Sequence, residues 1–235
     1  MSKDKRSAII LSICSAIIQK KQGSQPLVVG ITGIDTSGKS KLIKELADQL
    51  RRMDQDVQTI HVDNFHNPKS QRYNENLSEP DQYFQLSIDF NFLKQSLLEP
   101  IKQLGKIEIG IDHLDLESDT VSVHKHYRIT PNTIILIEGV FLYRPETRPF
   151  IDFFIFLKIN EETALQRAWI RDVPSQGEEV IGKYHTKYFP AQRRYLEEYR
   201  PDLVSDIVID NSNLDNPQIV IWPESMPAEV ANENK

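Results

Sequence analysis

The sequence predicts an α/β domain in which a mostly parallel sheet is covered by helices on both faces, with an antiparallel ribbon and a lid segment added to it. Three observations carry that expectation. Short apolar runs alternate along the chain with segments of helical periodicity, the order that parallel strands need for their crossovers. The runs at 27–31 and 133–137 are apolar almost throughout, as strands buried on both faces are. At 235 residues, 39% hydrophobic and 26% charged, the chain has the size and composition of one ordinary globular domain.

The first element is a helix. An apolar run over 7–18 follows Lys3, Lys5 and Arg6 and so resembles the opening of a signal peptide. No small-x-small cleavage pattern follows it, only Gln19-Lys20-Lys21-Gln22, and the run is too short to span a bilayer. Ile9, Ile10, Ile13 and Ile17 recur at helical spacing, which predicts an amphipathic helix packed on the domain. The strand at 27–31 leads through a glycine turn to a helix from about Lys39. Leu42, Leu46 and Leu50 form its stripe, with Lys44, Glu45, Gln49 and Arg52 off it.

A second strand is expected over 57–62, ending at Asp63. Residues 90–104 have helical spacing, with Pro100 expected to break the helix early. Over 106–129, Ile107, Ile109 and Ile111, then Val121, Val123, Tyr127 and Ile129, alternate about a polar centre, and that period of two predicts the ribbon. The run at 133–137 ends at Glu138-Gly139. A strand over 153–159 follows, and Asn160 is placed to cap a helix beginning Glu161-Glu162. Ile207-Val208-Ile209 is expected to be the last core strand. One domain is thus expected over 1–222, with the ribbon at about 106–129, a lid at about 167–187, and a flexible polar tail over 223–235.

Bulk chemistry excludes several classes. A net charge of −6 offers no general nucleic-acid surface. The one cysteine, Cys14, cannot form an internal disulfide, so a reducing, cytoplasmic setting is expected. No stretch reaches transmembrane length, so no membrane partner is expected. The sequence leaves homo-oligomerisation open.

The chemistry begins at Gly33-Ile34-Asp35-Thr36-Ser37-Gly38-Lys39-Ser40, which matches G-x-x-x-x-G-K-[ST] at every fixed position. Glycines let the backbone curl so that successive N–H groups face phosphate oxygens, and the following helix adds positive potential at its N-terminus. Lys39 is expected to reach the β- and γ-phosphates, and Ser40 to ligate Mg²⁺. A strand before the loop and an amphipathic helix after it complete the context. The fold class is therefore α/β of the P-loop NTPase fold, binding ATP with Mg²⁺.

In an open parallel sheet, ligands sit beyond the carboxyl ends of the strands. Asp63 and Glu138 end apolar runs in that way. We assign Asp63 the deprotonation of an acceptor hydroxyl and Glu138 a metal role. Arg167 and Arg171 lie four apart on one predicted helix face, beside a flexible stretch, Pro174-Ser175-Gln176-Gly177, and could close over phosphates. His113, His124 and His126 lack a third ligand of clear zinc spacing, which leaves ribbon surface or substrate contact as their reading.

These residues resemble the uridine kinase, pantothenate kinase and phosphoribulokinase group of P-loop kinases over about 27–216. The resemblance rests on the complete phosphate loop, His61-Val62-Asp63-Asn64-Phe65, and Ile135-Leu136-Ile137-Glu138-Gly139-Val140-Phe141. Arg171-Asp172 and Ser205-Asp206-Ile207-Val208-Ile209-Asp210-Asn211 add to it. It implies a kinase of small hydroxylated metabolites, with Asp63 activating the acceptor hydroxyl, His66 at the position of a family tyrosine, and lid arginines at Arg171 and Arg167. A Tyr-Asp-Phe-x-x-His element that holds nucleosides in uridine kinases corresponds here to Ile111-Asp112-His113-Leu114-Asp115-Leu116. Asp112 is retained, whereas Ile111 and Leu116 replace the tyrosine and histidine. The arginine expected shortly after Gly177 is also missing. Asp112 and His113 are the expected acceptor contacts, between apolar walls at Ile111 and Leu116, and uridine is not the expected acceptor. No Asn-Lys-x-Asp element supports a GTPase, and nine glycines leave no transporter signature.

Overall fold

The run predicted as a buried strand becomes β1 (Leu27–Gly33), and every one of its residues is buried. It lies inside a six-stranded sheet in the computed structural model, which describes residues 2–21 and 23–223. The helix α1 (Ser2–Lys20) precedes it, and α2 (Lys39–Arg52), β2 (Val57–His61), α3 (Lys69–Arg72), α4 (Glu79–Leu86), α5 (Phe90–Leu93) and α6 (Glu99–Leu104) follow. Next come the ribbon strands β3 (Ile107–Asp115) and β4 (Thr120–Ile129), then β5 (Ile134–Gly139) and β6 (Phe153–Lys158). The last part comprises α7 (Glu161–Arg171), α8 (Val173–Gln176), α9 (Glu179–Lys183), α10 (Phe189–Tyr199), α11 (Pro201–Val204), β7 (Ile207–Asp210) and β8 (Gln218–Ile221).

The sheet order is β2-β5-β1-β6-β7-β8, parallel up to β7, with β8 antiparallel at the edge. Alternation along each strand divides the core into two layers. Val28, Ile135 and Ile137 pack with α5, α6 and the ribbon's Ile111, Tyr127 and Ile129. Leu27, Val29, Ile31, Ile134 and Leu136 pack with α1 and α2 on the other face. Ile13 and Ile17 of α1 are fully buried there, as their spacing predicts. A third cluster, around Ala164, Ala168, Val180, Tyr184 and Phe189, packs α7, α9 and α10 together. No helix among the described residues is long and apolar enough to cross a membrane.

Several elements differ from expectation. Pro100 does not break the 90–104 helix, because a π turn over Lys94–Leu98 joins α5 to α6. Proline lacks an amide hydrogen and its ring presses on the carbonyl four residues back. The wider π turn relieves that conflict. The same device recurs at Tyr184–Tyr188, just ahead of Pro190. The second strand stops at His61, and Val62–Phe65 forms a 3₁₀ turn that carries Asp63. Pro174-Ser175-Gln176 is helical rather than loose, and Gly177, at φ 78°, ends that helix. The edge strand β8 was not anticipated. Apart from Pro223, the tail expected over 223–235 lies outside the described residues.

One buried hydroxyl ties the two strands flanking the site. The Tyr143 hydroxyl lies 2.8 Å from the Gly30 carbonyl and 2.8 Å from the Ile155 carbonyl, with no exposed surface. Tyr143→Phe removes that donor and leaves the carbonyls without it in a dry core. The expected loss is about 1–3 kcal/mol of unfolding free energy, read from urea denaturation. An unchanged midpoint would show that the ladder alone satisfies both carbonyls.

Candidate functional site

The loop 33–40 is shaped from outside by donors to its carbonyl groups. Lys39 folds back, with Nζ 3.1 Å from the Gly33 carbonyl and 3.0 Å from that of Ile34. Arg167 Nη1 donates to the Thr36 carbonyl at 3.1 Å, and Asn211 Nδ2 to the Ser37 carbonyl at 2.6 Å. Thr36 itself sits at φ 59° and donates Oγ1 to the Ala164 carbonyl at 2.9 Å. Gly38 is required twice over. Its φ is 98°, and a Cβ there would meet Asn211 Nδ2 at 2.6 Å. With the carbonyls so engaged, the amides of Asp35, Thr36 and Gly38 have no protein acceptor among the described residues. They stand at the N-terminus of α2, where donors and helix dipole both favour an anion.

Three carboxylates surround this loop. Glu138 ends β5 and is 3% exposed. Its Oε1 lies 2.7 Å from His61 Nδ1 and accepts from Ser40 Oγ at 3.1 Å. Burial opposes its charge, but the hydrogen bond from His61, the Lys39 ammonium and the Ser40 hydroxyl outweigh that and hold its carboxyl below the usual range. Asp63 is exposed at the surface yet has protein on most sides. The loss of hydration raises its carboxyl above the usual range. His66 and Lys39 act against that rise, while Glu138 and Asp35 reinforce it. Asp35 Oδ2 accepts from Tyr83 at 2.9 Å and from Gln192 Nε2 at 2.6 Å, which fixes the third carboxylate.

The Ser40 hydroxyl and Glu138 carboxylate form an oxygen donor pair of the kind Mg²⁺ takes, since that ion binds through one or two protein oxygens plus phosphates and water. Among the described residues no cluster of three His, Cys, Asp or Glu could hold a metal by itself. His124 and His126 instead face Asp112 at 2.6 Å and Glu108 at 3.6 Å on the exposed ribbon.

The two arginines of α7, Arg167 and Arg171, occupy different places. Arg167 grips the loop backbone and also the Ser212 carbonyl, at 3.0 Å. Arg171 is held by Asp172, at 2.6 and 3.0 Å, and Asp172 also accepts from Tyr184 at 2.7 Å. Burial works against the Arg171 charge, but Asp172, Tyr184 and Asp35 more than offset it. Both arginines line a cleft of about 370 Å³ with Gly38, Ser40, Ile170 and Leu214.

Of the other expected residues, His66 lies beside Asp63, with Nδ1 2.7 Å from the Asp63 carbonyl. Asp112 and His113 are not brought to Asp63 with a free polar atom. Asp112 points outward, 65% exposed, toward His124. His113 is 3% exposed, and its nitrogens meet the Asn64 carbonyl at 3.1 Å and the Tyr127 hydroxyl at 2.9 Å. Strand alternation explains the split, since neighbours on β3 face opposite ways. Ile111 is sunk in the core, and Leu116 sits 43% exposed at the hairpin, so the two do not form the expected walls.

Sequence reasoning assigned no role to His61, Tyr83, Gln192, Asn211 or Arg6. His61 was findable, because it and Glu138 end neighbouring strands in register. Arg6 donates to both Glu45 oxygens and to the Leu214 carbonyl at 2.7 Å, links across the whole chain that no local spacing reveals.

Comparison with known proteins adds an independent finding. The model of the phosphoribulokinase / uridine kinase family matches residues 28–198. A uridine kinase of Limosilactobacillus reuteri is 24% identical over 182 residues, covering 75% of this chain and 80% of that protein. A uridine kinase of Clostridium tetani is 25% identical over 209 residues, covering 80% and 94%. The solved structure of a possible uridine kinase from Bacillus stearothermophilus superposes with a TM-score of 0.68 at 28% identity, over 85% of this chain and 96% of that one. D-glycerate 3-kinase from Cryptococcus neoformans shares the fold, with a TM-score of 0.58 at 14% identity over 94% and 98%.

The buried Glu138 carboxylate gives a stability test. A carboxyl held below its usual range adds stability above the unfolded pKa of about 4.3, and that stability is lost as pH falls through the folded value. His61→Ala removes its strongest partner. The variant should lose about 1–3 kcal/mol at neutral pH, and the difference from the parent should shrink below about pH 4. A difference that stays constant with pH, measured by denaturation at several pH values, would show that His61 acts by packing alone.

Proposed function

The chain belongs to the phosphoribulokinase / uridine kinase family, and from that premise we propose that it transfers the γ-phosphoryl group of ATP, with Mg²⁺, to a hydroxyl of a small metabolite other than uridine or cytidine. The observation that carries the reading is the placement of Asp63. Its carboxyl, raised by loss of hydration, lies near enough to Lys39, Glu138 and Asp35 to feel their charges, beside a loop in which the amides of Asp35, Thr36 and Gly38 have no protein acceptor among the described residues. A base whose pKa is shifted toward the working pH suits proton transfer from an alcohol.

The step balances simply. The acceptor oxygen forms a bond to the γ-phosphorus as the bond to the β–γ bridging oxygen breaks. That electron pair leaves with ADP, and the hydroxyl proton passes to Asp63. Lys39 and the loop amides would stabilise charge on the transferring group, and Arg171, which lines the same cleft, would do so when phosphates are enclosed. Bound at Ser40 and Glu138, Mg²⁺ would supply charge neutralisation across the β- and γ-phosphates. Arg167 supports the loop from behind while lining the cleft beside it. We place the reaction in the cytoplasm, in keeping with a single cysteine, Cys14, that cannot form an internal disulfide.

The acceptor follows from the ribbon. Ile111 is part of the core, Leu116 is at the hairpin, and neither Asp112 nor His113 offers a free polar atom inward. A site without such donors gains little from a nucleoside that has matching groups.

Two experiments test the reading. Asp63→Asn keeps the shape but accepts no proton, so kcat should fall about 10²–10⁴-fold with ATP affinity nearly unchanged. The acid limb of kcat/KM in the parent enzyme should lie above the ordinary aspartate range of about 3.9. His66→Ala removes a group that favours the Asp63 charge and should move that limb to higher pH. Loss of ATP binding with kcat retained would make Asp63 a structural or metal residue. Secondly, uridine and cytidine should be poor acceptors, with kcat/KM at least about 10²-fold below efficient enzymes. Efficient uridine phosphorylation would instead establish an ordinary uridine kinase.

A further inference from the structure

Lys187 is carried on the π turn Tyr184–Tyr188, and it forms no ion pair among the described residues, whereas Lys94 and Lys102 each meet a carboxylate at 3.3 Å. Its ammonium lies 5.3 Å from the ring centre of Tyr73, 5.8 Å from that of Tyr188 and 6.0 Å from that of Tyr83. Three ring faces hold the cation in place without neutralising it. The Tyr83 hydroxyl reaches on to Asp35, at 2.9 Å, and Asp35 acts electrostatically on Asp63. A fixed positive charge therefore stands one tyrosine away from the carboxylates around the phosphate loop.

A second cation attends the same ring. The Arg72 guanidinium is 5.9 Å from the Tyr73 ring centre, and its Nε is buried with no hydrogen-bond partner. Its Nη2 meets Asp119 at 3.3 Å, and the Nε–H is left without a partner. Tyr73 is 57% exposed, so this corner is open to small solutes.

We propose that the acceptor of the phosphoryl transfer, on which this inference rests, carries an anionic group, a carboxylate or a phosphate ester, and that Lys187 binds it with support from Arg72. The charge layout orients such a molecule. Asp35, Asp63 and Glu138 repel its anionic end from the transfer point, while Lys187 draws that end outward and leaves the hydroxyl end at Asp63. A neutral polyol has no comparable polarity. The tyrosine cage also fixes the lysine in advance, so less ordering is needed on binding.

The test uses a deproteinised small-molecule cell extract, split on an anion exchanger at neutral pH into retained and unretained fractions. Purified full-length protein is given each fraction with ATP labelled at the γ-phosphate, and transfer of label to a new small-molecule product is measured. Transfer should come with the retained fraction. In Lys187→Ala the KM for that fraction should rise about 10–100-fold, the cost of one charge-assisted contact, with kcat little changed. Lys187→Arg should recover most of the loss. Within the retained fraction, phosphatase pretreatment separates the two sources: it abolishes a phosphate-ester acceptor and spares a carboxylate. Transfer confined to the unretained fraction, or an unchanged KM in Lys187→Ala with the retained one, overturns this inference and leaves the kinase reading intact. No transfer with either fraction overturns the kinase reading itself.

Discussion

The site depends on where the carbonyl groups of the phosphate loop go. A tight backbone curl can present its N–H groups to an anion only when the opposing carbonyls find donors elsewhere. Here Arg167 and Asn211 supply them from behind, and Lys39 occupies two more from the front. The left-handed Thr36 is stabilised by a bond to the Ala164 carbonyl of α7, so the base of the lid is part of the same support. The phosphate cradle is thus a product of tertiary contacts as much as of its own sequence.

The charge arrangement follows from the sheet. Parallel strands deliver Glu138 and the Asp63 turn to the same end as the loop, and Asp35 arrives on the loop itself. Packed together, three carboxylates would oppose one another in a region of low dielectric. Each has a distinct remedy. Glu138 is paired with His61 and stays ionised. Asp35 is tied down by Tyr83 and Gln192. Among the described residues the Asp63 carboxylate has no hydrogen-bonding partner of that kind, and it is the one whose proton affinity rises. Division of roles among like groups by environment is the usual way one site holds both an anchor and a base.

Much of this was legible in the residues. The loop motif, the buried runs and the strand-end acids follow from local pattern, because hydrophobic periodicity and glycine spacing are short-range signals. The ribbon was legible for the same reason, but its face was not. Which of Asp112 and His113 points inward depends on strand register, and here His113 is absorbed by Phe65, Asn64 and Tyr127. The π turns escaped notice because Pro100 and Pro190 ordinarily signal a break, and only the packing of α6 and α10 shows that the helical path continues. Arg6, Tyr83, Gln192 and Asn211 were out of reach, as each acts on a partner far away in sequence.

Arg6 and Asn211 are 205 residues apart, and they meet beside the phosphate loop at 3.3 Å. Contacts of such separation carry a loop-closure cost that local contacts do not, and they slow folding. A chain emerging from the ribosome can lay down β1, α2 and the ribbon in turn, but Ser37 has no Asn211 to accept from until β7 has joined the sheet. The support of the loop is therefore complete only once β7 is in place beside β6. A fragment lacking β7 would carry the whole loop motif without the Asn211 donor that engages the Ser37 carbonyl.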